Sequence, residues 1–141
     1  MTEVIVFPDT DAVVVQWLSQ QMPEVRVSTK RVGGAEDQTE QITVTTTATS
    51  GFVNMVTDEV VVILRSYAKD EGAAANLCQL ARAFTKALAQ QDSAEIEVYE
   101  IRGDTSVYRF NDPDANIPSY QCSVQLLIGY EFITETRSLV K

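Results

Sequence analysis

From Tyr120 to Phe132 every second residue is apolar: Tyr120, Cys122, Val124, Leu126, Ile128, Tyr130 and Phe132 share one parity, while Gln121, Ser123, Gln125 and Glu131 fall on the other. Side chains repeat every two residues only in a β-strand, where alternate positions point to opposite faces. The pattern therefore predicts one long strand with a buried face. A strand cannot satisfy its backbone or cover that face alone, so the rest of the chain has to supply partner strands and a covering layer.

The partners are visible upstream. Residues 25–32 alternate well enough for a strand. The threonine-rich stretch 41–49 places Ile42, Val44, Thr46 and Ala48 on one side and Thr43, Thr45, Thr47 and Thr49 on the other. Residues 58–68 contain the unbroken apolar run Val60, Val61, Val62, Ile63 and Leu64, which predicts a central strand covered on both faces. Residues 95–102 and 105–110 read as two further strands around the turn signal Gly103-Asp104.

Two helices complete the set. Asp9 or Thr10 can cap a helix ending near Pro23, with Asp11 in its first turn and Val13, Val14, Trp17 and Leu18 on one face. Asp70 can cap a second, over residues 71–90, where Ala73, Leu77, Leu80, Ala81, Phe84 and Leu88 recur at helical spacing. The expected order is α-β-β-β-α-β-β-β: an α+β fold, mostly antiparallel, with both helices on one face of the sheet. The 141 residues suit a single domain with one core, and residues 134–141 read as a loose tail.

Composition narrows the chemistry. With 11 Lys and Arg against 20 Asp and Glu, the formal charge is −9. Specific binding to free DNA or RNA, or to an anionic membrane, is not expected, because both rest on cationic side chains. No stretch is apolar enough to span a bilayer, and no signal peptide is evident, so the protein is expected to remain in the cytoplasm where it is made. The chain has no histidine. The commonest general base and metal ligand is thus missing, as is every Ser-His or Cys-His pair. No glycine-rich phosphate-binding motif occurs. Asp112-x-Asp114-x-Asn116 begins like a calcium loop, but Ile117 stands where glycine is needed and Ser123 where the closing glutamate is needed. An Asx turn explains it better. Asp9/Asp11, Asp58/Glu59 and Glu95/Glu97 read as capping, strand-start and solvated edge carboxylates. Cys78 and Cys122 read as reduced, buried small hydrophobes, and Trp17 and Tyr120 as core. No enzyme, cofactor or metal is expected.

Several segments in order carry a resemblance: Val6-Phe7-Pro8-Asp9 before a helix, Pro23-Glu24-Val25-Arg26-Val27, Thr57-Asp58-Glu59-Val60-Val61-Val62, the alanine-rich helix, and Pro113 to Tyr120 leading into the long strand. Over residues 4–133 the chain resembles the tail terminator proteins of long-tailed bacteriophages, the family of the lambda tail terminator. The resemblance implies a structural protein of the virion neck. Such a protein forms a homo-hexameric ring that caps the head-proximal end of the tail tube, stops its polymerisation and joins it to the head-tail connector. DNA would pass through the lumen, and an acidic wall would not grip it.

A head-to-tail ring needs two different complementary patches on each subunit. The expected contacts fall in loops that the fold does not need: Gly33, Gly34, Glu36 and Asp37 in residues 33–40, Phe52 and Met55 in residues 49–56, and Asp112, Pro113, Asp114 and Ile117 in residues 111–118. Other readings remain open: a head-completion or neck adaptor protein, a small ligand-binding regulatory α+β domain pairing through a sheet edge, or an enzyme using Asp112 and Asp114 alone.

Overall fold

A computed structural model of the chain describes residues 4–6, 9–54, 57–91, 97–129 and 131–133, with the backbone alone at 4–6, 48–54 and 131–133. The fold is α+β. Strand β1 (Val4–Val6) precedes helix α1 (Thr10–Gln21); β2 (Arg26–Ser28), β3 (Gln41–Asn54) and β4 (Thr57–Tyr67) lead to helix α2 (Glu71–Ala87) and a 3-10 turn (Leu88–Gln90); β5 (Val98–Asp104), β6 (Tyr108–Arg109), β7 (Ser119–Gly129) and β8 (Glu131–Ile133) close the chain.

The main sheet runs β2-β3-β4-β7-β5, with β6 also on β7. Every pairing in it is antiparallel except β2 with β3, which is parallel. A separate antiparallel pair joins β1 to β8. The expected element order thus gains a first strand, and the long final strand divides into β7 and β8.

Both helices start where a carboxylate was expected to cap them. Asp9 Oδ1 accepts from the Ala12 N–H at 3.3 Å, and Asp70 Oδ1 accepts from the Ala73 N–H at 2.8 Å. Each satisfies one of the donors that a helix start leaves unpaired.

The core lies between the helices and one face of the sheet. Ile42 and Val44 of β3, Val62 and Leu64 of β4, and Cys122, Val124, Leu126 and Ile128 of β7 are fully buried there, against Val14 and Leu18 of α1 and Leu77, Cys78 and Ala81 of α2. The register puts Leu64 beside both Val44 and Cys122, so the alternation of each strand adds to one continuous apolar layer. The Trp17 indole packs at the edge of this core and donates to the Phe84 carbonyl at 2.7 Å, tying α1 to α2.

Several expectations change, among them the turn expected at Gly103-Asp104, which lies inside β5, and the strand expected at 105–110, which reduces to β6. The central strand is β4, as expected, but the helices cover only one of its faces; Val61, Ile63 and Arg65 on the other remain half-buried. Residues 25–32 shorten to the three of β2, because the chain leaves the sheet at Ser28. Leu80, expected on the buried face of α2, is 50% exposed, since the seam runs through Ala74, Leu77, Cys78, Ala81 and Thr85. No described helix is long and apolar enough to cross a membrane.

Candidate functional site

The parallel pairing of β2 with β3 forces residues 29–40 to travel back along the sheet before β3 can begin. That crossing is braced at two points. Gln41, 1% exposed, clasps Val32 from both sides: its amide donates to the Val32 carbonyl at 2.7 Å, and its Oε1 accepts from the Val32 N–H at 2.9 Å. Arg31 reaches into the loop and donates to the carbonyls of Gly33, Gly34 and Asp37 at 3.4, 2.8 and 3.1 Å. Gly33 has φ +103°, where a side chain would be strained, and Asp37 packs on the space its Cβ would fill. Asp37 in turn accepts from the Thr39 N–H at 2.8 Å, and the Thr39 hydrogen bonds hold its carboxyl below the usual range.

Residues 111–118 form the second wall. Asp112 Oδ1 accepts from the Asp114 N–H at 2.9 Å, which is the expected Asx turn. The two loops meet: the Asn116 N–H donates to the Ala35 carbonyl at 2.8 Å, and the Asn116 amide donates to Glu36 at 2.9 Å. Tyr67, at the end of β4, donates to Asp112 Oδ2 at 2.8 Å. Its hydroxyl pKa is pushed up to about 12, first by burial and then by the bond to Asp112. The Arg31 guanidinium lies over the Tyr67 ring at 5.4 Å, so one tyrosine joins both loops to the sheet.

Between these walls, on the face of the sheet away from the helices, opens a cleft of about 440 Å³. Thr43 and Thr45 of β3 and Arg65 and Tyr67 of β4 form its floor; Lys30, Arg31, Gly33, Phe110 and residues 112–114 form its rim. Arg65 is held flat, with its guanidinium 4.4 Å from the centre of the Phe110 ring and its Nε donating to Gln121 at 2.7 Å. Gln121 also bonds the Tyr108 hydroxyl.

The expected contact residues therefore fall into two groups. Gly33, Gly34, Glu36, Asp37, Asp112, Pro113, Asp114 and Ile117 gather at the end of the sheet where β3 begins and β4 ends. Phe52 belongs to the other end; it sits within β3 rather than in a loop, because the pairing with β4 continues through bulges to Asn54. Its side chain, and all of Met55, lie outside the described residues. Lys30, Arg31 and Arg65 are not among the expected contact residues. The floor of the cleft comes from positions that a strand pattern marks only as facing away from the core.

Among the described residues, no group of three or more Cys, Asp and Glu is placed to hold a metal ion. Cys78 and Cys122 face each other across the helix–sheet interface with 3.6 Å between their sulfurs, as free thiols. No protein-family model matches this chain, and no curated protein matches it in sequence.

Proposed function

We propose that the chain is a structural virion protein, a tail terminator. It would assemble as a homo-hexameric ring, cap the head-proximal end of the tail tube, stop tube polymerisation and join the tail to the head-tail connector. The observation that carries this reading is the separation of the segments expected to make contacts. Two are stitched together at one end of the sheet, and the third, with Phe52, belongs to the far end of β3. A subunit standing between two different neighbours needs a distinct surface at each end. The net charge of −9 supports the same role, since a ring around DNA must not bind it tightly.

The test is tail length in phage lacking this chain, measured by electron microscopy. Over-long tubes with unattached heads are expected. Tails of normal length would overturn the terminator role and leave a head-completion or neck adaptor protein as the reading.

A further inference from the structure

Of the eleven cationic side chains in the sequence, three, Lys30, Arg31 and Arg65, line the cleft on the uncovered face of the sheet. Their roles differ. Arg31 is consumed in bracing the loop wall. Arg65 is fixed by its stack on Phe110 and by Gln121, yet its terminal nitrogens, like the Lys30 ammonium, bond no described residue. An arginine immobilised through its flat face and Nε, with its remaining donors open, can receive a carboxylate without further ordering cost. The threonine side chains of Thr43 and Thr45 add neutral polar groups beside it.

We propose that this cleft is a carboxylate-binding site filled by an acidic segment of a second copy of the chain, the entry to β5 with the exposed Glu97. The proposal deepens the ring reading and rests on it for the presence of a second copy. Two features favour that occupant. Asp112 and Asp114 on the rim would repel a polyanion such as DNA, whereas a single carboxylate can enter beside Arg65 and Lys30. β5 is also the last strand on the opposite edge of the sheet from β2, and Glu97, exposed just before it, lies beside Gly129 at the far end of the sheet from the cleft, whereas Glu100 is already paired with Arg102 at 2.7 Å. A contact that seats the Glu97 end of one copy in the cleft of the next uses two different patches and is head-to-tail, as ring closure requires.

The test is self-association of the full chain by light scattering over a wide concentration range, at low and high salt, with folding checked by circular dichroism melting. Arg65→Glu and, on the exposed loop, Lys30→Glu are each expected to weaken association roughly 30-fold or more, as removal of a desolvated charge partner does. Glu97→Lys should do the same, and Arg65→Glu combined with Glu97→Lys in one chain should restore it. Lys30→Glu keeps the test decisive should Arg65→Glu fail to fold. The proposal is overturned if the native chain stays monomeric throughout, if folded Arg65→Glu or Lys30→Glu associates as the native chain does, or if the folded double variant stays dissociated. None of these outcomes bears on tail length, on which the terminator role stands or falls separately.

Discussion

Tyr67 shows how much one side chain at a strand end can organise. Its ring carries Arg31, its hydroxyl holds Asp112, and it is 2% exposed. Burial and the neighbouring carboxylate both favour the neutral phenol, so its pKa rises to about 12 in the folded chain, against about 10 in an unfolded one. The stabilisation is therefore complete below pH 10 and is lost as pH rises from 10 to 12. Discounted for solvent screening, it amounts to about 1–2 kcal/mol. Urea denaturation of the native chain and Tyr67→Phe should show the native chain ahead by about 1 kcal/mol at neutral pH, from the lost hydrogen bond. That lead should shrink above pH 10. A constant difference across this range would show that the hydroxyl is not held by the fold. At this scale the sequence is legible where partners are close along the chain, as with Asp9, Asp70 and the Asp112 turn. Gln41 with Val32, and Tyr67 with Asp112, bridge 9 and 45 positions, and no local pattern announces such pairs.

At the scale of elements, α2 shows a face read correctly at Leu77, Ala81 and Leu88 and wrongly at Leu80. Apolar residues at helical spacing draw the face through Leu80 and Phe84 as well. The buried seam instead includes Cys78 and Thr85, fully buried on the sheet, and that rotates Leu80 into solvent. The helix comes close to the sheet through small side chains, which a hydrophobicity count undervalues. Leu77→Ala should cost about 2–4 kcal/mol in thermal or chemical unfolding, and Leu80→Ala less than about 0.5 kcal/mol. Equal losses would mean that the seam is drawn wrongly. The same packing encloses the two thiols, and Cys78 and Cys122 are both 0% exposed. A thiol reagent should leave both unmodified in the native chain and react with both once urea unfolds it; rapid native labelling would show that α2 opens from β7.

Taken whole, the molecule is two layers, helices on one face of a sheet and the cleft on the other, and the strand alternation was enough to foresee the first layer. It could not foresee that β2 pairs in parallel, because periodicity identifies strands without naming their neighbours. Nor could it tell a strand buried on both faces from one buried on a single face. The run Val60 to Leu64 suggests the former, whereas Ile63 sits between Thr45 and Ser123 on the uncovered side and Leu64 between Val44 and Cys122 on the covered one. Adjacent residues of one strand should therefore respond very differently to the same kind of change. Leu64→Ala removes a side chain from the closed core and should cost about 3–4 kcal/mol. Ile63→Thr keeps the β-branched shape at a half-buried position and should cost under about 1 kcal/mol. Urea midpoints of the isolated chain decide between them. Comparable losses would require a second layer over Ile63. A cheap Ile63→Thr that nonetheless weakens self-association would place the uncovered face, along with the cleft, inside the contact between copies.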